Sequence, residues 1–211
     1  MNIVYQVCSS FMRNIFSVLY RTTWHGLENL PKEGPVIVAS NHVSFFDPPL
    51  VGCSAPREFH FLARETLMGN PVSAWLLPRL NVIGVDREGG KDAGAVRQVM
   101  KSLKEGKVLV IFPEGTRSRD GSLQKAKAGI GLLACRTRAQ ILPARVFGAY
   151  EVYNRHRKIP KVRGRIQVVY GRCLRPDEYD PGKGADERFQ VAINRIMDAI
   201  ATLVVPEKRN I

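Results

Sequence analysis

Val36-Ile37-Val38-Ala39-Ser40 runs without a break into Asn41-His42-Val43-Ser44-Phe45-Phe46-Asp47, and this junction decides the reading of the chain. The first five residues follow the turn signals of Leu30-Pro31-Lys32-Glu33-Gly34-Pro35 and read as a buried strand. Asp47-Pro48-Pro49 then reads as a helix start, with Asp at the N-cap and Pro in the first turn. Working outward, residues 59–62, 81–85, 107–112, 140–146 and 165–170 read as further strands. The clearest of them, 107–112, delivers Glu114 to its carboxyl end. Helical spacing marks the surroundings of Trp75 and residues 91–105, 126–138 and 184–203. Strands alternating with helices predict an α/β fold, a single layered domain whose mostly parallel or mixed central sheet is flanked by helices. In such sheets, sites form where strands end and loops begin.

Ahead of that unit, helical spacing puts Val4, Cys8, Phe11, Ile15 and Leu19 on one face and Gln6, Ser10, Arg13, Ser17 and Arg21 on the other. Polar residues interrupt the apolar run too often for a membrane span, and the stretch does not fit a signal peptide. Residues 1–24 are therefore expected to hold an amphipathic helix, either packed on the domain's own core or lying in a membrane interface. Residues 25–211 are expected to form the domain proper.

The net charge of +13 over 211 residues implies anionic partners: phosphate-bearing substrates, an acidic membrane surface, an acidic carrier protein or nucleic acid. Much of the excess sits in Arg155-His156-Arg157-Lys158-Ile159-Pro160-Lys161-Val162-Arg163-Gly164-Arg165. That run is either a solvated loop or hairpin, or a holder of anionic headgroups, of an acidic carrier protein, or of the phosphates of coenzyme A. No zinc finger, aromatic RNA-binding signature or helix-turn-helix pattern accompanies the charge, so nucleic acid is not an expected partner. The four cysteines, at 8, 53, 135 and 173, have neither zinc-type nor disulfide-type spacing, which predicts free thiols in a reducing compartment. Histidines at 25, 42, 60 and 156 are too scattered for a cluster, and no metal is expected.

The chemistry gathers at two places. His42 is a proton acceptor that titrates near neutral pH, and a carboxylate such as Asp47 on its second ring nitrogen would fix the tautomer and support the imidazolium. The competing readings are a hydrogen-bonded turn histidine and an Asp that does no more than cap a helix. No Ser, Cys or Lys nucleophile is paired with His42, so the substrate is expected to bring its own hydroxyl. Phe112-Pro113-Glu114-Gly115-Thr116-Arg117-Ser118-Arg119 supplies the second place. Gly115 admits close approach of an anion, Thr116 donates a hydroxyl bond and Arg117 offers a planar fork matched to phosphate. Glu114 cannot bind phosphate; it is expected to accept a substrate hydroxyl or to fix an arginine. The bland alternative is a polar turn with solvated charges.

Asn41–Asp47 and 112–118, in this order, resemble the N-H-x-x-x-x-D and F-P-E-G-T-R-S motifs of the glycerolipid acyltransferases, the family that includes the 1-acyl-glycerol-3-phosphate (lysophosphatidic acid) acyltransferases. Val82-Ile83-Gly84-Val85-Asp86-Arg87 and Ile141-Leu142-Pro143-Ala144 are similar to two weaker family blocks, so the likeness covers roughly residues 25 to 172. The resemblance implies acyl transfer from a thioester to the free glycerol hydroxyl of a lyso-phospholipid, with His42 as general base and Asp47 orienting it. It implies Arg87, Glu114, Gly115, Thr116, Arg117, Lys127 and Gly129 as substrate-binding residues, with Arg87 at the glycerol phosphate and Lys127 and Gly129 as the family's K-x-G. Arg64, in Ala63-Arg64-Glu65-Thr66-Leu67, matches an A-K-x-E-L segment loosely and stays a weak candidate, and Ala126 replaces a common aromatic. Acyl-CoA or acyl carrier protein would serve as co-substrate with no further cofactor, and the oxyanion donors would be backbone amides near His42. The expected location is peripheral, on the cytoplasmic face of the cell membrane. The rivals are another lyso-phospholipid or glycerol-3-phosphate as acceptor, and a catalytically inactive lipid-binding module.

Overall fold

Every residue of β2 (Val36–Ser40) is buried, so this strand must be covered on both faces. Successive side chains point to opposite sides of a sheet, and β2 obeys that rule: Val36 and Val38 enter one apolar layer, Ile37 and Ala39 the other. A computed structural model describes residues 2–85 and 93–207. Among them β1 (Thr23–His25), β3 (Phe59–Arg64), β4 (Val82–Val85), β5 (Val108–Ile111), β6 (Gln140–Phe147) and β7 (Gln167–Tyr170) join β2 in one sheet, in the order β1-β7-β6-β2-β5-β3-β4. All neighbours are parallel except β6 and β7, so the sheet is mixed.

The first layer is built from α1 (Ile3–Tyr20), α2 (Asp47–Gly52) and α6 (Ala149–Tyr153), which contribute Phe16, Tyr20, Leu50, Val51, Ala149 and Val152. The second comes from α4 (Ala93–Lys104), α5 (Ala128–Thr137) and α8 (Arg188–Ala201), through Val99, Leu103, Ala134, Cys135, Ile193, Ile196 and Ile200. Two further helices, α3 (Pro71–Arg79) and α7 (Pro176–Tyr179), complete the set. The chain leaves β2 through α2 towards β3, and leaves β5 through α5 towards β6 on the far side of β2. Departing in opposite directions on opposite faces, the two connections open a crevice at the carboxyl ends of β2 and β5.

The α1 helix faces differently from its sequence pattern. Tyr5, Phe16 and Tyr20 are buried with Met12 packed beside them, whereas Val7, Phe11, Val18 and Leu19 stay exposed. Aromatic area decides this: Phe16 and Tyr20 pack on Phe46 with ring centroids 5.3 and 5.5 Å apart. The Tyr5 hydroxyl also donates to the Gly52 carbonyl and accepts from the Phe59 amide. An apolar strip is thereby left on the outer surface. No helix among the described residues is long and apolar enough to cross a membrane.

The strands and helices read from sequence appear within a few residues of their expected limits; α8, for example, covers 188–201 of the expected 184–203. The short β1, α6 and α7 leave no such trace, because three to five residues carry too little period to register.

Candidate active site

Register alone brings the two motifs together. Ala39 of β2 pairs with Ile111 of β5 in parallel, so three residues further along each strand His42 and Glu114 stand side by side. The structure fastens that pairing: the His42 amide donates to Glu114 Oε1 at 2.7 Å, and the Ser118 amide donates to the His42 carbonyl at 2.7 Å. Asn41 ties the same strand exit to β6, its side chain donating to the Val146 carbonyl and accepting from the Val146 amide. The imidazole stacks on Phe112 with centroids 4.2 Å apart.

Asp47 occupies the first position of α2 rather than the N-cap, which is Phe46. From there its side chain folds back over the preceding turn. Oδ2 lies 2.9 Å from His42 Nδ1 and accepts the amides of Val43 and Ser44 at 2.6 and 2.7 Å. An acceptor at that position holds the tautomer with the proton on Nδ1 and leaves Nε2 as the basic nitrogen. The Asp47 side chain is fully buried while the His42 ring keeps 18% exposure. Burial raises the Asp47 carboxyl above its ordinary range, opposed by the His42 ring and the two amides.

Glu114 is held by backbone amides. Its second oxygen accepts the Gln124 amide at 3.1 Å, so its carboxylate clasps the backbone of His42 in the first motif and of Gln124 beyond the second. Burial pushes its pKa up to about 7, against the pull of the two amides. The amides of His42 to Asp47 are all engaged, by Glu114, by Asp47 itself, by the Tyr153 carbonyl and by Ser44.

Arg117 lies 3.4 Å over the Phe45 ring, and its buried Nη1 has no partner among the described residues. Burial, and then Arg155, pull its pKa down; Asp47 opposes, and Arg64 adds a smaller lowering effect that places Arg64 within electrostatic reach. Arg155 donates to the Arg117 carbonyl at 3.3 Å. Glu114, Thr116, Arg117, Arg119, Gln124, Lys125 and Arg155 line a cleft of about 570 Å³. Four cations there face one carboxylate already held by amides, so the cleft suits an anion. Gly115 adopts φ +68°, which favours glycine, and a Cβ there would strike the Lys127 side chain at 2.8 Å. Lys127 thus lies against the turn, whereas Gly129 sits in the first turn of α5, facing open space where a side chain would begin. Arg87 lies outside the described residues. Phe45, Arg119, Lys125 and Arg155 were not among the sequence-derived site residues; the basic run contained Arg155 but gave no sign of where it would land.

The profile of the Acyltransferase family matches residues 21–146. This chain belongs to the acyltransferase family. It is 30% identical over 135 residues to the chloroplastic 1-acyl-sn-glycerol-3-phosphate acyltransferase of Arabidopsis thaliana, covering 63% of this chain and 38% of that one. It is 34% identical over 123 residues to the 1-acyl-sn-glycerol-3-phosphate acyltransferase of Borreliella burgdorferi, covering 58% and 49%. The chain thus spans under half the length of these two relatives. The crystal structure of the 1-acyl-sn-glycerophosphate (LPA) acyltransferase of Thermotoga maritima superposes with a TM-score of 0.77 at 25% identity, covering 93% of this chain and 77% of that one. The acyltransferase fold therefore extends well beyond the motifs.

Proposed function

We propose that this acyltransferase moves a fatty acyl group from an acyl thioester to the free glycerol hydroxyl of 1-acyl-glycerol-3-phosphate, giving phosphatidic acid. The observation that carries the reading is the His42–Asp47 pair, 2.9 Å apart, with the His42 amide bonded to Glu114, which lines the cation-rich cleft with Arg117 and Thr116. The names of the relatives supply the substrate class. His42 Nε2 takes the proton of the acceptor hydroxyl as its oxygen attacks the thioester carbonyl. The C–O bond forms, the C–S bond breaks, and the same proton passes to the departing thiolate. The acceptor phosphate rests on Arg117 and Thr116, with Arg87 assigned to the same anion and Lys127 to the acceptor by likeness to the family.

The acyl donor, coenzyme A or carrier protein, and attachment to the cytoplasmic face of a membrane belong to this reading as well. The exposed Val7, Phe11, Val18 and Leu19 on α1 support an interfacial position for that helix. Incubating the protein with a panel of acyl thioesters and of acceptors (lysophosphatidic acid, other lyso-phospholipids, glycerol-3-phosphate), and identifying products by mass, tests the assignment. Phosphatidic acid as the main product is expected, together with loss of turnover by orders of magnitude in His42→Ala. Equal rates on all acceptors would overturn the specificity. Undiminished turnover in His42→Ala would overturn the general base.

A further inference from the structure

The segment from Arg155 to Arg165, between α6 and β7, has no part in the chemistry above beyond Arg155, yet its composition and placement are specific. Arg155, Arg157, Lys158, Lys161, Arg163 and Arg165 are all exposed, and no carboxylate interrupts them. Between these cations two aliphatic side chains project into solvent, Ile159 at 77% and Val162 at 75% exposure. Scattered exposed aliphatics need no explanation, but a pair interleaved with six cations on one loop is a different matter.

The loop is tied down at several points while Ile159 and Val162 stay exposed. The Lys161 amide donates to the Val152 carbonyl at 3.0 Å, the Ile166 amide donates to the Tyr20 carbonyl at 3.1 Å, and His156 Nε2 lies 3.0 Å from the Arg119 carbonyl. One side of the loop therefore touches the cleft-lining Arg119, and the other touches the end of α1, next to the outward-facing Val18 and Leu19. Tyr153, just before the loop, accepts from the Ser44 hydroxyl and the Phe45 amide of the catalytic turn.

We propose that the 155–165 loop docks on an anionic lipid surface beside the mouth of the cleft, its cations on headgroups and Ile159 and Val162 in the acyl boundary. Charge complementarity selects an anionic partner. The protruding aliphatics, on a loop whose end is bonded to the last residue of α1, favour a lipid surface over an acidic protein, because insertion rewards side chains standing clear of the fold. The inference rests on the proposed reading that the acceptor is a lipid, and it has a consequence for that reaction. Phosphatidic acid is anionic, so product accumulating in the surface would strengthen docking.

The test measures partition of the full chain onto vesicles of phosphatidylcholine alone and of phosphatidylcholine with phosphatidylglycerol, and in parallel its turnover on a short-chain, freely soluble lysophosphatidic acid. With ~1 kcal/mol per basic residue near such a surface, combining Arg157→Gln, Lys158→Gln, Lys161→Gln and Arg163→Gln is expected to weaken partition onto anionic vesicles by a few hundred-fold, up to ~1000-fold. Turnover of that variant on the soluble acceptor is expected to match the parent. Ile159→Ser with Val162→Ser is expected to lower partition several-fold even at high salt, where charge is screened. Unchanged vesicle partition in the Gln variant overturns the proposal. So does a loss confined to turnover with a carrier-protein donor, which would assign the loop to that protein. Absence of turnover on the soluble acceptor in the parent chain would strike the proposed function and leave the vesicle result to stand by itself.

Discussion

Replacing Glu114 by Gln tests the clasp that holds the two motifs together. In the folded chain the Glu114 pKa is raised to about 7 from 4.5, burial being the main cause. A group whose folded pKa lies above its unfolded one contributes stability that is complete below the unfolded value and lost as pH rises through the folded value. Between those values the folded state binds one proton more than the unfolded state, so stability falls with pH. At about 1.4 kcal/mol per pKa unit, the loss between pH 5 and pH 8 comes to about 2–3 kcal/mol. A Gln side chain does not titrate, so Glu114→Gln abolishes this contribution to the slope. It also brings an NH2 group against one of the two amides that the carboxylate accepts, His42 or Gln124, at a cost of about 1–3 kcal/mol. Urea unfolding of parent and variant at several pH values gives the answer as a difference, in which other titrating groups cancel. The parent is expected to be the more stable at pH 5, and its advantage to shrink by about 2–3 kcal/mol by pH 8. A difference that stays flat across that range would show that Glu114 is not held in a buried clasp.

Three further outcomes are expected. Asp47→Asn preserves an acceptor for the Val43 and Ser44 amides but removes the charge facing His42; losing a charge-assisted bond of about 1.5–3 kcal/mol lowers kcat roughly 10- to 150-fold, with thermal stability as the control for folding. Arg117→Lys loses both the planar fork and the stack on Phe45, so KM for a phosphomonoester acceptor is expected to rise by about tenfold, with kcat less affected, in steady-state assays. Gly131→Ala places a Cβ 2.0 Å from the Phe189 carbonyl where α5 meets α8; thermal unfolding is expected to show a loss of about 1–3 kcal/mol.

The sequence by itself determined the layered α/β architecture and the location of the site. Buried strands such as 36–40 and 108–111 are short unbroken apolar runs, and His42 and Glu114 follow them directly, so local composition carried that information. It also carried the charge, the cation-rich loop and the existence of the first helix. Only the tertiary structure decided which side of α1 meets the core, because two apolar strips competed and the aromatic one won through contacts with Phe46, Gly52 and Phe59. Only the tertiary structure gave Glu114 its partners in His42 and Gln124, engaged the amides of the catalytic turn, and set Arg155 on Arg117, 38 residues away. Those outcomes depend on strand register and on pairings between segments remote in the chain. No local periodicity encodes them, since a backbone amide is identical at nearly every position and its partner is chosen only when the sheet closes.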